Sequence, residues 1–274
     1  VRLQNAIADF LDRKTAAIDA LIAKKERLIE LLEEKRQALI TQAVTRGLDP
    51  NVPLKDSGID WLGPIPAHWK AVRIKHVARL ESGHTPNKET PEYWAPEGSD
   101  GVPWVSLNDT KALAASDYIS ETAYRITAAG IANSSARMLP ARVVVFTRDA
   151  TVGEAAITTV PATVSQHVIA WVCGTDVVPE YLLFAFYAMR EELDRRTMGA
   201  TVKTIGLNDV KALTIPLPNR AEQEAIVNRV RDAVARIRSA RELVVAQLDR
   251  LREYRQALIT AAVTGQIDVT ADSP

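Results

Sequence analysis

Arg36 to Asp49 reads RQALITQAVTRGLD and Arg255 to Asp268 reads RQALITAAVTGQID, so ten of fourteen positions are identical at an offset of 219 residues. An internal repeat constrains the fold before any local propensity does, because two copies of one segment adopt the same element. The same ungapped offset pairs Gln4, Ala6 and Ile7 with Gln223, Ala225 and Ile226. The two ends of the chain are copies of one unit.

Both copies read as helix. Ile7, Leu11, Ile18, Leu21, Ile22, Leu28, Ile29, Leu32, Leu39 and Ile40 recur at spacings of three, four and seven, with no Gly or Pro before Gly47. Ile226, Val230, Val234, Ile237, Val244, Leu248, Leu251, Leu258 and Ile259 repeat the pattern, and Gly265 stops it. An apolar stripe over about 44 residues, some 66 Å of helix, is longer than a globular domain usually uses and points to a coiled coil. Its contact positions are Ile18, Leu28, Leu32, Arg36 and Leu39 in the first copy and Ile237, Leu248, Leu251, Arg255 and Leu258 in the second. The many charges on the remaining faces suit either a solvated surface with i,i+4 pairs or a docking surface for a partner protein or phosphates.

Between the copies the texture changes. DPNVPLKDSGIDWLGPIPAHW, from Asp49 onward, carries four prolines and two glycines and forbids a continuous helix. Strand-like runs follow at Val102 to Leu107, Arg142 to Thr147, Ala155 to Val160, His167 to Cys173 and Leu213 to Leu217. Pro179 to Arg196 reads as an amphipathic helix with Leu182, Leu183, Phe186, Met189 and Leu193 on one side. The fold expected is α+β: a coiled-coil helix over 1–47, a globular domain over 48–219 with its linker at 48–69, a second coiled-coil helix over 220–265 and a tail over 266–274.

Charge narrows what this domain can bind. Lys+Arg 34 balance Asp+Glu 34 over the whole chain, and Gly47 to Asn219 holds sixteen Lys/Arg against nineteen Asp/Glu, a net of −3. Any nucleic-acid surface there must be small and shaped, using polar side chains as much as charge. Cys173 is alone, which excludes an internal disulfide or a cysteine-built zinc site. His68, His76, His84 and His167 lack metal-ligand spacing, so no metal is expected. There is no Gly-rich phosphate loop with its trailing Lys, and no Asn-Pro-Pro-aromatic or Asp-Pro-Pro-aromatic tetrapeptide of the kind that grips a flipped base. Glu33 and Lys35 form an ordinary exposed helix pair rather than a nuclease motif. With no membrane-length apolar run and no signal-peptide pattern, the chain reads as cytoplasmic and non-catalytic.

Three segments are candidate reading surfaces. SGHTPNKETPEYW (Ser82 to Trp94) offers Ser82, His84, Thr85, Asn87, Lys88 and Tyr93, hydrogen-bonding side chains between two strand-like runs. MGATVKTIGLND (Met198 to Asp209) offers Thr201, Lys203 and Thr204 beside a turn at Gly199. Arg148 closes the run RVVVFT. Against these stand plainer readings: Tyr93, Trp94 and Trp104 packed beneath a loop, and Thr85, Asn87 and Lys88 on an exposed turn.

The order of these segments resembles the specificity subunit of type I restriction-modification systems. KDSGIDWLGPIPAHW (Lys55 to Trp69) resembles that family's lead into a recognition domain, and IPLPNRAEQEAIV (Ile215 to Val227) its exit into a conserved helix. Gly199, Ala200 and Thr201, followed by Leu207 and Asn208, are similar to the small-residue turn before the exit, and both RQALIT copies resemble the ends of the conserved helices. The resemblance implies a domain similar to the small DNA-reading domain of adenine methyltransferases, flanked by two helices that pair antiparallel. It also implies double-stranded DNA, modification subunits and a restriction subunit as partners, with S-adenosylmethionine, ATP and Mg used in those partner chains and no cofactor in this one.

Members of that family generally carry two recognition domains, whereas this chain carries one, and Leu3-Gln4 stands where the exit segment has Glu222-Gln223. The chain is therefore expected to be the second, C-terminal half of a longer subunit, as a fragment or an engineered piece, or else a half-subunit that forms a homodimer. The function expected is reading one half of a split DNA target and scaffolding the modification and restriction subunits, with the repeat touching partner subunits and its own twin. The alternative is a protein-only coiled-coil adaptor presenting an α+β domain.

Overall fold

The computed structural model describes residues 2–96, 98–199 and 201–269. A leading helix, Arg2–Arg46, and a closing helix, Arg220–Val263, bracket a mixed helix-and-sheet middle. Two compact units result: Val1–Ala38 with Arg231–Pro274, and Leu39–Val230.

In the first unit the helices lie side by side and antiparallel. Lys25 Nζ donates to Gln247 Oε1 at 2.6 Å, an Arg252 NH donates to Glu26 Oε1 at 2.9 Å, and Arg255 grips both Asp19 oxygens at 2.7 and 3.0 Å. Further along, Phe10 packs into a cluster with Ala262 and Leu258. Partner numbers thus fall along one helix as they rise along the other. Between Leu11 and Arg36 the less exposed positions of the leading helix are Leu11, Thr15, Ile18, Ile22, Lys25, Ile29, Leu32 and Arg36, alternating steps of four and three. That 3.5-residue average keeps one face on a partner helix. At the 219-residue offset the counterparts of these residues are Val230, Val234, Ile237, Arg241, Val244, Leu248, Leu251 and Arg255; all but Arg241, which is exposed, are buried or half-buried, so the two copies share most of one seam.

Leu28 is off this seam and 40% exposed, because Ile29 takes the position the period assigns. The two RQALIT copies do not meet either. Arg255 faces Asp19, and an antiparallel run places the copies at opposite ends of the pair. The hydrogen bond from Arg255, opposed by slight desolvation and helped by its charge, holds the Asp19 carboxyl below the usual carboxylate range.

The second unit is built on a five-stranded sheet in the order Ala78–Ser82, Val168–Cys173, Val144–Thr147, Ala155–Thr158, Tyr118–Ile119. All neighbours are antiparallel except the last pair. Val144–Thr147 and Ala155–Thr158 are buried at every position and apolar up to a closing threonine, because both faces are covered. Val145, Ala156, Val168 and Ala170 point into one core with Val105, Leu113 and Val164. On the other face Phe146 stacks on Phe186 of the helix Pro179–Ala188, with ring centroids 5.1 Å apart. That helix is buried along Glu180 to Phe186 rather than amphipathic, since Tyr181 OH also donates to the carbonyls of Pro216 (2.9 Å) and Val44 (3.3 Å) on its far side. The expected single helix divides at Met189, where the backbone takes φ −92° and ψ 17°, and resumes as Arg190–Arg196.

A four-stranded sheet, Thr163–Val164, Val102–Val105, Arg125–Ile126, Trp94–Ala95, lies beside the first. At Gly83 the backbone passes tightly against this sheet, since a Cβ there would stand 1.6 Å from the Val164 carbonyl oxygen. Among the described residues no helix is long and apolar enough to cross a membrane.

Candidate nucleic-acid interface

The sheet register decides which loops meet. Ile169 pairs with Ser82 and Val168 with Thr147, so three neighbouring strands end or begin at one edge of the sheet. The segments leaving that edge are 83–85, 166–167 and 148–149. A fourth segment is stitched on by backbone: Asp149 bridges Thr204, Ala150 N–H donates to Lys203 O at 2.8 Å, and Ile205 N–H donates to Arg148 O at 2.9 Å. The hairpin Thr197–Met198 with Thr204–Ile205 carries Gly199, Thr201, Val202 and Lys203 toward its tip. Gly199 turns at φ +108°, where a Cβ would approach Val202 O to 2.2 Å.

Side chains complete the edge as one hydrogen-bonded line. Thr85 Oγ1 donates to Gln166 Oε1 at 2.6 Å. Gln166 Nε2 lies 3.1 Å from His167 Nε2, and His167 Nδ1 lies 2.6 Å from Asp149 Oδ2. The directions follow from one another: with Gln166 Oε1 accepting, its NH2 donates to His167 Nε2, which leaves the Nδ1 proton for the carboxylate. Asp149 is only 15% exposed and also stands 3.8 Å from Arg148 Nε, an atom buried with no acceptor at hydrogen-bond distance. Gln166 is exposed, so its second N–H and remaining lone pair face outward from a fixed amide plane. Gln in that setting matches the N6/N7 edge of adenine.

The three candidate segments are thus brought together in part. Thr85, Arg148 and Thr204 belong to the line or its backbone stitch, and Lys203 and Thr201 sit exposed on the hairpin beside it. Ser82 is a half-buried strand residue, while His84, Asn87 and Lys88 are exposed on the adjoining segment. Tyr93 is half-buried in the turn Pro91–Tyr93, its carbonyl accepting from Thr127 N at 3.0 Å. Ala200, part of the small-residue turn, lies outside the described residues. Gln166, His167 and Asp149 were missed by sequence reasoning. The available signal was position: Gln166 precedes and His167 opens the run HVIAWVC, and Asp149 lies two residues beyond RVVVFT.

Glu180 is a buried charge elsewhere in the unit. Glu180 meets Arg142 at 2.9 and 3.0 Å and accepts from Tyr118 OH at 3.1 Å. Burial pushes its carboxyl up, but its backbone hydrogen bond, Arg142 and Tyr118 outweigh that and hold it below the usual range. The Cys173 thiol is pushed up to about 12, chiefly by burial and then by the Glu180 charge. Among the described residues no His, Cys, Asp and Glu cluster is arranged to hold a metal.

Residues 66–243 match the family described as Type I restriction modification DNA specificity domain. The type I restriction enzyme MjaIX specificity subunit of Methanocaldococcus jannaschii is 31% identical over 169 residues, 60% of this chain and 38% of that protein. The type I restriction enzyme EcoprrI specificity subunit of Escherichia coli is 20% identical over 149 residues, 53% of this chain and 35% of that one. The chain therefore spans well under two thirds of these relatives. The HsdS subunit from Thermoanaerobacter tengcongensis shares the fold with TM-score 0.59 at 17% identity, over 97% of this chain and 59% of that one. A chain from work on complex assembly and conformational transition of the type I R-M system does so with TM-score 0.62 at 19% identity, over 92% and 58%. The matched span takes in both sheets, the hydrogen-bonded edge and the first half of the closing helix, and the chain belongs to the family of type I restriction modification DNA specificity domains.

Proposed function

We propose that this chain reads one half of a split DNA target for a type I restriction-modification complex and has no catalytic step of its own. The observation that carries the reading is the convergence of Thr85, Gln166, Arg148 and the 199–204 hairpin on one sheet edge, inside the span of the family match. A rigid line of polar side chains suits base edges, and exposed Lys88 and Lys203 suit the flanking phosphates. The helix pair serves as docking rod, since Leu21, Leu28, Leu31, Leu243 and Tyr254 stay exposed on its outer faces. Methyl transfer from S-adenosylmethionine and ATP- and Mg-dependent cleavage are assigned to the modification and restriction subunits.

The net charge of −3 on the middle segment favours the rival reading, a protein-only adaptor. Selection from a degenerate duplex pool, with the modification subunit present, separates the two. Enrichment of a motif supports the DNA reader; a pool returned without enrichment supports the adaptor.

A further inference from the structure

The segment that joins Thr85 to the hydrogen-bonded edge also builds a second feature. The carbonyls of His84 and Asn87 accept from the indole nitrogens of Trp104 (3.1 Å) and Trp94 (3.0 Å), which fixes both rings. Trp94 and Trp104 stand 5.2 Å apart at 83°, and Tyr124 joins them at 6.0 Å and 75° from Trp94 and at 6.5 Å and 65° from Trp104. Three steeply inclined rings usually fill the space between themselves. Here they wall an open cavity of about 300 Å³, with Lys88 and Asn108 completing its lining. Tyr124 is 51% exposed, so a large aromatic face is held ready at the surface.

The lining selects its ligand. Aromatic cages commonly hold quaternary or methylated ammonium groups, but Lys88 is cationic and exposed in this lining and opposes them. A π-face to stack on, a planar amide at Asn108 with one donor side and one acceptor side, and an ammonium for a phosphate together match a nucleotide base. The volume is at the lower end for small-molecule pockets and suits one ring system. We propose that this cavity receives one unstacked nucleobase of the DNA read by the adjoining edge. The proposal rests on the DNA-reading function above.

The test uses the full chain and three labelled duplexes of one sequence: fully paired, with one bulged base, and with an abasic residue at the bulge. The bulged base should bind roughly 10-fold tighter than its abasic counterpart, the scale of one base stacked on an aromatic ring, and should quench tryptophan fluorescence. Tyr124→Leu should abolish that preference and Tyr124→Trp should retain it, with Lys88→Ala weakening all three duplexes. Equal binding of bulged and abasic duplexes by the parent, or an undiminished preference in Tyr124→Leu, overturns the proposal. So does a free deoxynucleoside monophosphate that quenches as effectively as the bulged duplex, which would assign the cavity to a soluble nucleotide. A chain that selects a motif from paired duplexes yet ignores the bulge loses this proposal alone, whereas one that binds no duplex loses the DNA reading as well.

Discussion

Gln166 illustrates how a neutral side chain acquires direction. Its oxygen is occupied by Thr85 and one of its protons by His167, which Asp149 orients from beneath, so the amide presents one donor and one acceptor in a set plane. Two residues away from the interface test the electrostatics of the core. Cys173, its thiol pushed up to about 12, is a thiol and not a thiolate at neutral pH, so iodoacetamide should label it only after unfolding. Glu180 is buried and depressed below its unfolded value, so its pairing stabilises the fold above the usual carboxylate pKa and is lost as pH falls through the depressed value. Arg142→Ala should therefore cost about 1–3 kcal/mol near neutral pH, measured by denaturant unfolding, with the gap to the parent narrowing in acid. A gap independent of pH would show that Arg142 contributes packing only. The proposed site was legible in its loops and hidden in its centre. Thr85, Arg148 and Thr204 follow from polar residues beside strand-like runs, whereas the links from Thr85 to Gln166 and from Asp149 to His167 join residues 81 and 18 positions apart and exist only once register is set.

The helices were the most legible elements, because a repeat at fixed offset and an unbroken apolar period are local properties of sequence. What period alone left open was phase. Leu28 and Ile29 both fit an apolar stripe, and only the antiparallel partner decides that Ile29 belongs to the seam. The seam predicts how the rod tolerates length. Inserting seven residues after Arg27 and seven after Ala246 keeps the alternation of four and three, and adds about 10 Å of helix. If the rod sets spacing, the assembled complex should then prefer a spacer longer by about three base pairs. Four residues inserted in one helix alone should instead misalign the seam and lower the thermal midpoint. An unchanged spacer with the paired insertion would reject the rod as a ruler. Strands were readable where both faces are covered, as at Val144–Thr147, since that run is β-branched or aromatic throughout and apolar up to its closing threonine. The helix Pro179–Ala188 misled for the same reason: its apolar side was evident, but Tyr181 reaching Val44 and Pro216 on the far side is a tertiary fact.

The whole molecule is a near-neutral chain with few free cations at its proposed interface, and this limits the electrostatic share of binding. With Lys88 and Lys203 as the phosphate contacts and Arg148 as a third cation at the reading edge, the slope of log K against log salt should be no steeper than about −3. A much steeper slope would mean that the binding face is the arginine series of the closing helix. The most direct measurement is the motif selected from a degenerate duplex pool by the chain assembled with its modification subunit, compared across the parent, Gln166→Ala and Lys203→Ala. The parent should enrich one split motif, Gln166→Ala should relax it at a single base position, and Lys203→Ala should weaken binding with the motif intact. A motif unchanged in Gln166→Ala, or none enriched by the parent, would contradict the assignment of this sheet edge as the surface that reads DNA.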